Sequence, residues 1–255
     1  MGANGKKWLT RTAVVAFWLL VWAILSRLVD EALLLPSPWA VAQALGRLGV
    51  TADFWRAVGN SLLRIVLGYG AAVVLGTGLA MLTGRFPLLH TLFRPLLHLM
   101  RTVPVASFII LAYLWIRLQL LPGCIAGLMV VPLVWGNVSS GIAQTDRQLL
   151  EMARTCRLGR WGTLRHIWVP SVKPYFQAAC ATGMGFAWKS GIAAEVICSP
   201  DRAIGTELKT AKVYLETPEV FAWTVTVVLL SVLLERAVLG LLRQRPGAQK
   251  KEAGV

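Results

Sequence analysis

Six apolar runs, near residues 12–29, 58–83, 95–116, 120–143, 172–195 and 220–242, constrain this chain of 255 residues more than any other feature. A helix needs about 20 residues to cross the hydrocarbon core of a bilayer, and each run is close to that length. A soluble alternative fails on composition, because 56% of the residues are hydrophobic and 15% charged, against about 25% charged in an average soluble domain. The expected fold is therefore all-α, a polytopic membrane bundle of six transmembrane helices forming one domain over residues 1–255. The loops between the runs are short, which leaves no room for a second soluble catalytic domain.

The chain carries a net charge of +14, from 26 Lys and Arg against 12 Asp and Glu. In a soluble protein that excess would suggest nucleic acid or an acidic surface. Sorted by loop it suggests topology instead. With the amino terminus inside, the inner segments hold fifteen cations: Lys6, Lys7 and Arg11 at the start, Arg85 and Arg94 before the third run, six from Arg147 to Lys173, and Arg243, Arg245, Lys250 and Lys251 at the end. They hold three acids, whereas the outer loops hold six cations and seven acids. The positive-inside rule then puts both termini in the cytoplasm, with a lipid membrane and no nucleic acid as the surroundings. The basic start before an apolar run looks like a signal peptide, but Ile24-Leu25-Ser26-Arg27 offers no small-residue cleavage site, so a retained first span is expected.

Small residues and prolines give hints of packing. Gly68, Ala72, Gly76, Ala80 and Gly84 recur every fourth position in the second run, and Ala179, Gly183, Ala187 and Gly191 in the fifth, followed by Glu195. Such rows let backbones approach closely, either as static seams or as surfaces that slide. Pro95, Pro104, Pro122 and Pro132 interrupt or bound the third and fourth runs, and broken helices in a bundle often line a pathway. Ahead of the second run, Ser37 followed by Pro38 is an N-cap with proline at the first helical position. A short interfacial helix is expected there, with Trp39, Ala42, Leu45 and Leu48 on one face.

Charges within the runs are the candidates for chemistry. Arg27 and Arg64 fall near outer ends and Glu235 and Arg236 near an inner end, where snorkelling accounts for them. Arg101, Lys189 and Glu195 are harder to dismiss, since a charge deep in hydrocarbon usually faces a bundle interior or a wet cavity. They are candidate pathway residues, with interfacial anchoring of the fifth run as the alternative. Lys189 and Glu195 are six residues apart, on roughly opposite faces, and would not pair in a straight helix. Gly183 to Ser190 imitates a phosphate-binding loop, but Trp188 stands where glycine is required, so nucleotide binding is rejected. The four cysteines, Cys124, Cys156, Cys180 and Cys198, lie apart and are read as packing residues, and His90, His98 and His166 lack metal spacing. No catalytic constellation is present.

The most informative stretch is the inner connection over 144–171, cationic yet carrying regularly placed apolar residues, with Gly159 as a break and Pro170 ending it. It can form one or two short amphipathic helices offered to a cytosolic partner, or an anchor to anionic lipid. Here the chain resembles the membrane permease subunits of ATP-binding-cassette (ABC) importers, whose corresponding loop begins Glu-Ala-Ala, has a glycine, and ends Leu-Pro or similar. Glu151, Ala153 and Val169-Pro170 match that spacing, Met152 takes the second place, and Arg157 occupies the usual glycine position, with Gly159 two residues later. Leu35-Pro36-Ser37-Pro38, Asn60-Ser61-Leu62-Leu63-Arg64, residues 188–197 and Tyr214-Leu215-Glu216-Thr217-Pro218 are similar to the nitrate, sulfonate and taurine class of these permeases.

The resemblance implies a MetI-like permease fold in the bacterial cytoplasmic (inner) membrane. It also implies a solute-binding protein outside, a second permease subunit forming a homodimer, and ABC ATPase subunits inside, with ATP and Mg held by those ATPases and no cofactor on this chain. Glu151, Ala153, Arg154, Arg157, Gly159 and Pro170 would then belong to the ATPase-coupling loop, and the cargo would be a small anion such as a sulfonate, taurine or nitrate. The competing reading is a secondary transporter or channel without an ATPase, for which Arg101, Lys189 and Glu195 would be the pathway.

Overall fold

The computed structural model describes residues 3–31 and 33–242, with side chains from residue 9 onward apart from Arg11. The terminal cations Lys6, Lys7, Arg11, Arg243, Arg245, Lys250 and Lys251 therefore lie outside the described side chains. Every element among the described residues is helical: α1 (Ala3–Val29), α2 (Pro38–Gly49), α3 (Ala52–Arg85), α4 (Pro87–Thr102), α5 (Val105–Ala112), α6 (Leu121–Ala143), α7 (Arg147–Thr155), α8 (Arg160–Thr163), a π turn (Leu164–Trp168), α9 (Val169–Cys198), α10 (Ile204–Val213) and α11 (Thr217–Leu242).

Among the described residues four helices are long and apolar enough to cross a membrane: α1 over Thr12–Val29, α3, α6 and α11. The run expected as one span near 95–116 is two helices, α4 and α5, bent by 103°. Of the four prolines flagged in this region, Pro104 alone makes the break. Pro95 and Pro132 sit inside continuous helices and Pro122 in the first turn of α6. A residue before proline is pushed out of the α region, and Val103 takes φ −73°, ψ 133°. The fifth run lies in α9, a 30-residue helix, but Lys173, Lys189 and Glu195 make it more polar than the four above. Pro170 does not end the preceding loop: α8, the π turn and α9 run on as consecutive helical turns from Arg160 to Cys198, with Pro170 near the start of α9.

α6 forms the centre of the bundle, between α3 and α9. Its Ala126, Val130, Val134 and Val138 are almost fully buried, alongside Ile65 and Ala72 of α3 and Ala179 and Ala187 of α9. The small-residue rows explain the close approach. A Cβ on Gly68 would overlap the Gly123 carbonyl, one on Gly76 would come within 2.9 Å of Val134 Cβ, and Gly183 faces Val130. Gly191 instead meets Ile65 of α3, and Tyr69 Oη donates to the Cys180 carbonyl at 2.9 Å.

α2 forms as its cap predicts, with Ser37 accepting from the Ala40 N–H at 3.2 Å. Its buried face is offset from the expected one. Val41 and Ala44, with Leu45 and Leu48, pack on Ala222, Phe221 and Val225 of α11 and on Trp22. Trp39 is 71% exposed and takes no part in this contact. The exposed Trp, Leu and Val side chains of α1, α3 and α11 complete an outside suited to lipid.

Candidate functional site

Three places in the bundle gather polar or charged groups. The first is at the end opposite the 144–168 segment. Glu195, on α9, is fully buried, and its Oε2 accepts from Ser61 Oγ of α3 at 2.8 Å and from the Gly205 N–H of α10 at 3.1 Å. Ser61 Oγ in turn accepts the Ile204 N–H at 3.0 Å. The carboxylate thus caps the first turn of α10, where free N–H groups and the helix dipole favour negative charge. Around it, Arg64 donates to the Gln119 side chain and, at 3.2 Å, to the Asp201 carbonyl, while Gln119 Nε2 donates to Asp201 at 2.9 Å and Asn60 Nδ2 to the Arg202 carbonyl at 3.2 Å. Arg64 is therefore tied to protein and does not snorkel as expected. Glu195 Oε1 and Arg64 Nη1 are both buried without a partner among the described residues.

The second place is a cavity of about 870 Å³ between α4 and the 135–143 part of α6. His90, Arg94, His98 and Arg101 line it from α4, and Asn137 and Ser140 from α6. Arg101 donates to the Pro132 carbonyl. The same guanidinium fills the space that a side chain on Gly136 would occupy. Trp135 stiffens the wall through an Nε1 bond to Thr83 Oγ1 at 2.9 Å, its ring 5.4 Å from that of His90.

The three expected pathway residues are not brought together. Arg101 borders the cavity, Glu195 is sealed inside the network at the other end, and Lys189 is exposed on α9 and forms no bond to a described residue. Trp188, in the rejected phosphate-loop lookalike, is buried in α9 with Nε1 donating to the Val227 carbonyl at 3.0 Å. Sequence reasoning missed Gln119 and did not join Ser61 and Asp201 to Glu195 and Arg64, and the α4 row at intervals of four, four and three was the signal that would have found His90, Arg94 and His98 beside Arg101.

The third place is the 144–168 segment. Asp146 caps α7 by accepting the Gln148 N–H at 2.8 Å. α7 ends in a Schellman turn: the Leu158 N–H bonds the Ala153 carbonyl at 2.9 Å and the Arg157 N–H bonds that of Arg154 at 3.1 Å. This turn needs a left-handed residue, and Arg157 supplies it with φ 49°. Gly159 is ordinary extended backbone at φ −61°, ψ 165°, with open space around it. The left-handed geometry thus stays at the position where the motif usually has glycine. Ala153 is buried, while Glu151, Met152, Arg154, Leu158 and Trp161 are exposed, Trp161 by 82%.

Comparison with known proteins adds to this geometry. Residues 72–245 match the family model described as binding-protein-dependent transport system inner membrane component. An Escherichia coli (strain K12) permease protein named for aliphatic sulfonate transport, SsuC, is 31% identical over the whole of both chains. The taurine transport system permease protein TauC of the same organism is 24% identical, over 92% of this chain and 86% of its own. In fold, the chain is similar to a chain in the crystal structure of a bacterial ABC transporter involved in the import of the acidic polysaccharide alginate. The TM-score is 0.63, with 13% identity, over 94% of this chain and 96% of that one.

Proposed function

The chain belongs to the family of binding-protein-dependent transport system inner membrane components, and we propose that it works as one half of the pathway of an ATP-driven importer of small anions, of the sulfonate or taurine kind. It is a transport component of the inner membrane and not an enzyme. In this proposal residues 1–255 form one permease domain, with crossings at α1, α3, the α4–α5 pair, α6, α9 and α11. A second copy completes the pathway, a solute-binding protein delivers cargo outside, and ATP with its Mg is held by ATPase subunits docked on the inner face.

The observation that carries the proposal is the surface of the 144–168 segment. Met152, Leu158 and Trp161 are exposed beside Glu151, Arg154 and Arg157. An apolar anchor ringed by charges suits a protein groove better than a lipid surface, where cations alone would serve. The consecutive helical turns from α8 through Pro170 into α9 give a mechanical route from that surface to the bundle. A π turn within the route marks where the rod can change register. Chemistry at this chain is therefore confined to moving and excluding: α7 follows the ATPase, α9 follows α7, and Gly183 and Gly191 let α9 lie close against α6 and α3.

The test is reconstitution of the chain with its ATPase and binding protein in proteoliposomes. ATP-dependent uptake of a labelled sulfonate, lost when Trp161→Ala and Arg154→Glu are combined, is the expected result. Uptake by this chain alone under an ion gradient would favour the secondary-transporter reading and remove this one.

A further inference from the structure

We propose that the cavity between α4 and α6 is a binding site for a small sulfonate-type oxyanion, held by Arg94, His98 and Arg101 of α4 and by Asn137 and Ser139 of α6. The inference rests on the anion-importer reading and assigns it a place in the bundle.

α4 is two-faced. His90, Arg94, His98 and Arg101 form one row, and Leu88, Leu92, Leu96 and Leu99, each two residues earlier, lie about 200° around the helix. All four leucines are more than half exposed. They form the face suited to lipid, while Phe93, Leu97 and Met100 pack on the bundle and the cationic row runs along the edge of that packing, bordering α6. Side chains of the row line the 870 Å³ cavity, a volume within the range of small-molecule sites.

The cavity holds positive charge with nothing of the protein's own to neutralise it. None of its lining residues is acidic. The ion pair of Arg56 with Asp53 at 3.2 Å lies elsewhere, in the first turn of α3. Arg101 reaches only a neutral carbonyl, that of Pro132, and is seated there because Gly136 has no side chain. Arg94, His98 and Arg101 remain exposed, so an incoming anion can reach them. Ser139 Oγ, also on the lining, is buried with no partner among the described residues. Ser140 Oγ donates to the Gly136 carbonyl at 2.8 Å and Asn137 Nδ2 to that of Leu133 at 2.9 Å, so the donors left for the acceptor oxygens of a sulfonate are the guanidiniums, the second Asn137 amide hydrogen and the Ser139 hydroxyl, with no carboxylate to compete. Pro95, Leu97 and Ala143 offer apolar surface to a short organic stem. The same donors would take the phosphate of a lipid headgroup, so the membrane used in the test must separate the two sources.

The experiment uses the permease–ATPase complex in nanodiscs of phosphatidylcholine alone, without the binding protein, and measures equilibrium binding of labelled ethanesulfonate. Saturable binding is expected, weakened at least tenfold by Arg94→Gln with Arg101→Gln and unchanged by Arg56→Gln. Gly136→Ala, which retains every charge but fills the seat of Arg101, is expected to weaken it at least threefold. His98→Gln carries the test if the double variant does not assemble, again with weaker binding expected. No saturable binding, equal binding by all variants, or binding abolished when phosphatidylglycerol is added would overturn the proposal. If these variants bind normally while ATP-driven sulfonate uptake is intact, the cavity assignment falls and the importer reading stands. If the reconstituted importer carries only cationic or neutral cargo, both fall.

Discussion

Ser61 Oγ donates to Glu195 Oε2 at 2.8 Å while accepting the Ile204 N–H at 3.0 Å, so one hydroxyl joins α3, α9 and α10 at a fully buried point. Glu195→Ala would leave the Ser61 hydroxyl and the Gly205 N–H without their acceptor, and an unmade buried bond costs about 1–3 kcal/mol. Glu195→Gln keeps an oxygen able to accept from both. Thermal unfolding in detergent should show a clear loss of Tm for the alanine variant and a smaller one for the glutamine variant. Equal Tm values for alanine and wild type would mean the network adds no stability.

The α3–α6 seam predicts a position-specific penalty. Gly68→Ala would drive a methyl group into the Gly123 carbonyl, whereas Gly70 and Gly78 have open space where a Cβ would go. Overpacking costs about 1–3 kcal/mol where backbone has to move. Gly68→Ala should therefore lower Tm and folded yield, and Gly78→Ala should not. The measurement is paired unfolding curves of the two variants.

At the end of α7 the expected gain runs in the opposite direction. Arg157 holds φ 49°, and a left-handed conformation costs a non-glycine residue roughly 1–2 kcal/mol. Arg157→Gly should increase hydrogen-exchange protection of Arg147–Leu158, while Gly159→Ala should leave it unchanged. Greater protection from Gly159→Ala than from Arg157→Gly would contradict the assignment of the turn.

One carboxyl outside the spans gives a pH signature. Burial, aided by the nearby Asp53 carboxylate, pushes Glu207 of α10 above its ordinary value. The unfolded chain then gives up this proton more readily than the folded one. The group's stabilising contribution is therefore complete at low pH and is lost as pH rises from the unfolded value through the folded one. Glu207→Gln should raise Tm at pH 7 and make no difference at pH 3.

Much of the helical layout was legible from local rules. Ser37 with Pro38 marked the start of α2, Asp146 starts α7 in the same way, and the apolar runs marked the long helices. The motif at Glu151 and Ala153 identified the segment that offers an exposed face. The candidate sites were less legible. Arg101 was picked out for being a charge in an apolar run, but its neighbours His90, Arg94 and His98 were spread over an inner loop and a span boundary and were not read as one row.

The sequence by itself determined where helices begin, which of them suit lipid, and which segment carries the family's motif, because caps, hydrophobic length and charge act within a few residues of chain. Only the tertiary structure decided that Pro104 turns the third run through 103°, that Glu195 meets Ser61 across 134 positions, and that the α4 cations share one cavity with Gly136 and Ser140. The meeting of Glu195 with Ser61 depends on how close α3, α6 and α9 can come. That distance is set by glycines meeting backbone, as Gly68 meets Gly123, or side chains, as Gly191 meets Ile65, on another helix, a contact that periodicity along a single helix does not encode.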